Sequence, residues 1–310
     1  MSEVVMIGND VDAAPPSRAA VRELGRIEAG RALRSAPFWL GLAATGLYFL
    51  NGADGPAWQS ETYQLTGSVA FGPVCAGIFV AAVLAGSRDR ATEVGLAEES
   101  PLDEGHRAAA RLLGMLAQVA IVALVAIAVA VITRVEGGFW IGNGSSRIDD
   151  AVHSWPELVQ PVLAAAFAGA SGIAIGRAVR VRTAVAVGGG LVWLLGSVVY
   201  WVWQNVPMRY IAVLQVQPIE VELPVGVDPS DLPGAQFSAP GEFQDAYRMV
   251  VVDQAMAAWH DLYLASLVLV CVALAVRGRW GRSLGVIGAI GAVVAVVLQI
   301  DSVPVVQIGG

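Results

Sequence analysis

The stretch LLGMLAQVAIVALVAIAVAVIT, residues 112–133, decides the class of this protein. It holds no ionisable residue. At 1.5 Å of helical rise per residue it is long enough to cross a hydrocarbon core about 30 Å thick. Directly before it lies GSRDRATEVGLAEESPLDEGHRAAAR, residues 86–111, with four arginines, six acids, His106 and almost no large apolar side chain. Before that comes a second apolar run, residues 66–86. A charged segment is therefore held between two stretches that can each span a bilayer.

The same pattern extends along the chain. Apolar runs fall at 37–51, 66–86, 112–133, 157–176, 183–203, 258–276 and 283–300. The first is short and borrows a turn from Arg34-Ser35-Ala36. The last is rich in glycine and alanine and reads as either a span or a shallow re-entrant segment. Only 15% of the 310 residues are charged and 56% are hydrophobic, with a mean hydropathy of +0.63; a soluble domain carries about 25% charged residues. The expected fold is an all-α integral membrane protein, a polytopic bundle of six to seven transmembrane helices preceded by an interfacial helix.

Residues 1–16 read as a disordered tail ending at Pro15-Pro16, acidic and without the apolar core of a signal peptide. Ser17 suits a helix N-cap. Over residues 17–36, Val21, Leu24 and Ile27 form one stripe, with Arg22, Glu23 and Arg26 on the opposite arc. Arg31 and Arg34 follow towards the end. This suits a helix lying on membrane lipids with arginines at the headgroups; a solvated helix beside the membrane is the plainer alternative. Glu28 falls near the apolar stripe and does not fit the pattern.

Arginines set the orientation. One side takes Arg18, Arg22, Arg26, Arg31 and Arg34, then Arg88, Arg90, Arg107 and Arg111, then Arg177, Arg180 and Arg182, and finally Arg277, Arg279 and Arg282. The other side holds Arg134, Arg147, Arg209 and Arg248. The alternation agrees at every connection, which places the N-terminus in the cytoplasm and, with seven spans, the tail 301–310 outside. The largest outer feature, residues 204–256, carries seven acids and six prolines. Ile219, Val221 and Leu223 alternate there with Glu220 and Glu222, a hint of one short strand. Trp58, Trp140, Trp155 and Trp259 suit interface anchors, and Trp259, His260 and Asp261 stand together at the expected outer mouth.

Several chemistries are excluded. All 19 basic residues are arginine, so the chain has neither a Walker A lysine nor a Schiff-base lysine. A net charge of −7 argues against a nucleic-acid partner. Three scattered histidines give no metal-ligand spacing, and Cys75 and Cys271 sit within apolar runs as small hydrophobes. Gly169-Ala170-Ser171-Gly172 matches the GxSG motif of rhomboid intramembrane proteases, with His260 on a later span. Ser171 lies deep in its span and His260 near the outer end of its own. The small-residue cluster, like Gly188-Gly189-Gly190, reads better as helix packing in lipid.

The stretch Glu23-Leu24-Gly25-Arg26-Ile27-Glu28-Ala29-Gly30-Arg31, ending in Arg34-Ser35-Ala36-Pro37, resembles the N-terminal helix of ATP-binding cassette (ABC) transporter permeases of the type-2 exporter class. The stretch from Arg90-Ala91-Thr92-Glu93 through Ser100-Pro101-Leu102 to Arg107 and Arg111 resembles the loop after their second span. Trp259-His260-Asp261-Leu262-Tyr263-Leu264 is similar to the start of their last span in actinobacterial members. The resemblance implies a coupling element on the cytoplasmic loop 87–111, with Arg90, Thr92, Glu93, Leu96, Glu98 and Glu99 docking on a separate ATPase. It also implies a second permease subunit, identical or not, in a bacterial plasma membrane. ATP and magnesium would be bound by the partner ATPase, with no cofactor on this chain. Six spans are usual for such a permease, and the seventh run departs from that. A membrane scaffold or sensor subunit is the competing class, and a plain solvated acidic loop the competing reading of residues 87–111.

Overall fold

A computed structural model describes residues 18–52, 69–88, 102–138, 152–202, 208–213, 221–222, 248–302 and 305–308. The elements run α1 (Arg18–Leu33), α2 (Ala36–Gly52), a 3-10 turn (Val69–Phe71), α3 (Gly72–Gly86), α4 (Glu104–Val135), α5 (Trp155–Ala178), α6 (Arg182–Val202) and the single turn α7 (Met208–Ile211). Strands β1 (Val221–Glu222) and β2 (Arg248–Val252), helices α8 (Gln254–Val276) and α9 (Gly278–Ile300), and strand β3 (Val305–Ile308) complete them.

Among the described residues, each of the seven apolar runs overlaps a helix. Four of these, α4, α5, α8 and α9, are long and apolar enough to cross a membrane. Ala36–Leu50, Gly72–Gly86 and Arg182–Gly196 are shorter apolar helices. Aliphatic side chains are exposed along these helices: Leu40, Leu47 and Leu50 on α2, Leu124 and Ile127 on α4, Leu191 and Leu195 on α6, Val293 and Val297 on α9. A protein in water does not turn so many contiguous aliphatic groups outward. This is the surface of a helical bundle in lipid.

The core sits around α3. Val74, Cys75, Ile78, Phe79, Ala82 and Val83 are buried there against Ala164, Ala165, Ala168 and Ile173 of α5 and Met115, Val119 and Val122 of α4. Lipid offers no hydrophobic drive between helices, so close backbone approach matters more. The glycines supply it. Gly41 faces the Pro73 carbonyl while Gly77 faces the Pro37 carbonyl, a reciprocal contact that fixes α2 antiparallel to α3. Gly172 lies against Ala82 and Phe79, and Gly176 against Val83. The GASG stretch is thus a packing face, and the Ser171 hydroxyl donates to the Ala168 carbonyl one turn back at 3.2 Å.

Two features add to the expected helices. The N-terminal helix does pair outward-facing arginines with an apolar Ile27, but it packs through its small-residue face. Gly25 meets Ala110 and Leu113, and Glu28 meets Gly114, while Gln118 Nε2 donates to the Ala32 carbonyl at 2.7 Å. The contacts climb both helices together, so α1 runs alongside the first turns of α4. The stripe that the sequence suggests for the lipid, Val21-Leu24-Ile27, lies apart from this packing face, where Gly25, Glu28 and Ala32 allow the two backbones to come close. Second, a small sheet accompanies the helical bundle. β1, β2 and β3 form a three-stranded antiparallel sheet in that order. β1 falls within the alternating run at 219–223, and β3 follows α9. Val250 pairs with Gln307 and Val251 with Val306.

Helices α8 and α9 form an antiparallel hairpin. Arg277 and Gly278 take φ of 61° and 75° at the turn, the left-handed region that glycine enters without strain. Gly281 then packs against the Ala273 carbonyl, and Gly288 against Ser266 and Val270. α9 is a continuous helix of 23 residues, long and apolar enough to cross a membrane.

Candidate functional site

Polar side chains gather at both ends of the bundle. At the arginine-rich end, the Glu28 carboxylate is buried and accepts from two guanidinium groups, Arg31 Nη1 at 2.7 Å and Arg88 Nη1 at 2.6 Å. Arg31 is one turn away on the same helix, whereas Arg88 follows the end of α3. Arg177 of α5 donates to Glu104 of α4 at 2.8 Å. Asp103 caps α4: its carboxylate accepts from the His106 amide at 2.8 Å. That bond, with the His106 imidazole beside it, holds the Asp103 carboxyl below the usual carboxylate range. Charge-assisted bonds of this kind are short and stronger than neutral ones.

These contacts bracket residues 89–101. Arg90, Thr92, Glu93, Leu96, Glu98 and Glu99 lie outside the described residues, so the expected docking surface itself has no described geometry. Its two flanks do. The arginines expected on the N-terminal helix, Arg22, Arg26, Arg31 and Arg34, are all exposed. Arg26 lies 4.0 Å from Glu23 on the open surface, where such a pair contributes little.

At the opposite end, α5, α8 and α9 converge. His260 is fully buried, and its Nδ1 lies 2.9 Å from Gln299 Oε1. Gln299 Nε2 donates to the Tyr210 carbonyl at 3.3 Å, and the Tyr263 hydroxyl donates to the Ile211 carbonyl at 2.9 Å. The single turn α7 is thereby held over the ends of α8 and α9. Asp261 and Trp259 are half-buried beside this cluster. Glu157, buried at the start of α5, accepts from the Ser154 amide at 2.7 Å and lies 3.3 Å from His153 Nδ1. Arg134 donates to the His153 carbonyl at 3.1 Å and stands over the Trp155 ring. The expected outer-mouth residues thus form part of a larger set that includes His153, Glu157 and Gln299.

Sequence reading missed two of these partners, Glu28 and Gln299. Glu28 registers only as an acid out of place on an amphipathic helix. Its signal is position: it is flanked at helical spacing by Gly25 and Ala32, the spacing of a packing face. Gln299 and His260 are 39 positions apart, and only the α8–α9 hairpin brings them together. Ser171 and His260 have separate partners, Ala168 and Gln299, and do not form a nucleophile–base pair. Among the described residues, no group of three or more His, Cys, Asp or Glu side chains is placed to hold a metal ion.

Comparison with protein-family models, with curated proteins and with solved structures finds no match to this chain.

Proposed function

We propose that this chain is the membrane-spanning permease subunit of an ABC transporter, an exporter driven by a separate ATPase that docks on residues 87–111. It sits in a bacterial plasma membrane with six to seven spans and a cytoplasmic N-terminus. A second permease subunit completes the pathway.

The observation that supports this reading is the anchoring of the charged segment at both ends. Arg88 ties its start to Glu28 in α1. Glu104 ties its end to Arg177 in α5, and the Asp103 cap fixes where α4 begins. In this reading a push on the segment reaches α1, α4 and α5 through the charge-paired contacts at its two flanks. Such a device turns a partner's movement into helix movement, the hinge-and-shear kind of change expected of alternating access.

The test uses the full-length protein in its own membrane. The ATPase should co-purify with the wild type. Glu93→Arg should reduce that association, or uncouple ATP hydrolysis from transport, at normal expression. If Glu93→Arg and the triple change of Glu93, Glu98 and Glu99 to Ala both leave association and transport at the wild-type level, the segment is not the coupling element. A chain that purifies as a stable assembly with no ATPase is instead a scaffold or sensor subunit.

A further inference from the structure

A cleft of about 790 Å³ opens between α1, α2, α3 and α4 at the arginine-rich end. Arg31, Arg34, Arg88 and Arg111 line it, with Glu28 as the one carboxylate among its lining residues. Among the lining residues guanidinium groups outnumber carboxylates four to one. Glu28 also orients the cleft, because its two oxygens hold Arg31 and Arg88 from either side. Arg31 is half exposed and uses only Nη1 for that bond, while a guanidinium carries five N–H donors. Arg34, exposed at the break between α1 and α2, has no side-chain partner among the described residues.

The walls are apolar. Pro37 begins α2, Ala81 and Leu84 belong to the last turns of α3, and Met115 opens the apolar run of α4. The guanidinium groups therefore stand at the helix ends, where headgroups lie, and the apolar walls continue from there along the helices. That arrangement fits an amphiphile with an anionic head and an acyl body. Guanidinium groups match phosphate oxygens in a bidentate manner.

We propose that this cleft binds the phosphate group of an anionic phospholipid, seated on Arg31 and Arg34 with its acyl chains along α3 and α4. This is a specific lipid site on α1–α4, and it does not depend on the transporter reading. A free phosphate compound would use the same guanidinium groups without the apolar walls, and the experiment separates the two sources.

The purified full-length protein is equilibrated in detergent with equal amounts of phosphatidylglycerol and phosphatidylcholine, and retained lipid is counted by native mass spectrometry. Preferential retention of phosphatidylglycerol is expected. The double change Arg31→Gln with Arg34→Gln should lower that preference at least about tenfold, since one lost charge-assisted contact already has that weight. Arg279→Gln with Arg282→Gln removes the same charge at the same end of the bundle and should leave it unchanged. Leu84→Trp keeps every arginine but crowds the cleft from an exposed position, and should lower retention as well. Equal retention of both lipids by the wild type would overturn the proposal, as would equal losses in the two double variants. Displacement of bound phosphatidylglycerol by millimolar inorganic phosphate would assign the cleft to a soluble phosphate compound instead. Size-exclusion profiles show which variants remain folded. Should the Arg31/Arg34 variant fail to fold, the Leu84→Trp result decides: undiminished preference there counts against the site.

Discussion

Arg177 Nη2 lies 2.8 Å from Glu104 Oε2, and the pair joins the last turn of α5 to the first turn of α4. The arginine is buried and the glutamate is largely exposed. Removing the glutamate therefore leaves a desolvated cation short of an acceptor, whereas removing the arginine leaves a carboxylate that water can reach. Glu104→Ala should cost about 1–3 kcal/mol, and Glu104→Gln, which keeps an acceptor oxygen, should cost less. Thermal unfolding in detergent checks the order, and a milder effect for Ala than for Gln would contradict it.

Asp103 gives a pH prediction. Its carboxyl lies below the usual range in the folded chain, chiefly through the His106 amide. A depressed carboxyl contributes stability above its unfolded value, and that contribution is lost as pH falls through the folded value. The first turn of α4 should thus keep its protection at neutral and mildly acidic pH and fray only below the ordinary carboxylate range. Asp103→Ala should cost about 1 kcal/mol and remove this acid-dependent step, while Asp103→Asn keeps the cap and loses only the pH dependence. Amide exchange at residues 104–107 reports it.

The glycines divide into two groups. A Cβ at Gly176 would collide with the Val83 backbone, and at Gly114 with the Glu28 backbone, whereas at Gly188 it meets open space. Gly176→Ala and Gly114→Ala should each destabilise by about 1–3 kcal/mol. Gly188→Ala should be neutral or stabilise by up to about 1 kcal/mol through helix propensity. Equal melting temperatures for all three would show that the close contacts carry no energy.

His260 and Gln299 form the buried link between α8 and α9. His260→Leu leaves the Gln299 carbonyl oxygen without that partner and should cost about 1–3 kcal/mol. His260→Leu combined with Gln299→Leu should recover part of the loss, because both polar groups are then gone. A double variant whose loss equals the sum of the single losses would mean that the two residues are not coupled.

Topology can be read from the sheet. Since β3 pairs with β2, the strand after α9 lies on the same side as the segment before α8. A label at Ser230 and one at Val306 should be reached from the same side of the membrane, and a label at Glu93 from the other. Val251→Cys with Val306→Cys, at partner positions in the register, should form a disulfide under mild oxidation. Labelling of Ser230 and Glu93 from one side would refute the arrangement.

The helices were legible because burial in lipid leaves a one-dimensional trace. Each apolar run has to be a helix whose own backbone satisfies its hydrogen bonds, so residues 258–276 read directly as α8, while 283–300, rich in glycine and alanine, left a shallow segment open beside a span. The glycines at 169–176 likewise announced close packing. Pairing between distant segments leaves no such trace. Glu28 meets Arg88 only because α1 climbs α4 and α3 ends beside it. Gln299 meets His260 only because Arg277 and Gly278 turn the chain back on itself. The strand hinted at by residues 219–223 carried no sign that its sheet would include residues beyond α9, since period-two alternation does not name a partner.

The sheet also sets an order for membrane insertion. β2 precedes the α8–α9 hairpin and β3 follows it, so their ladder cannot close until both helices have been placed. Until then β2 presents an unpaired edge, the kind that recruits stray strands. The hairpin, with its tight turn, can enter as one unit and deliver β3 to its partner in the same step. Closure of β2 with β3 then acts as a latch that completes assembly, and a chain that lacks residues 305–308 would reach the membrane with its helices in place and this edge still open.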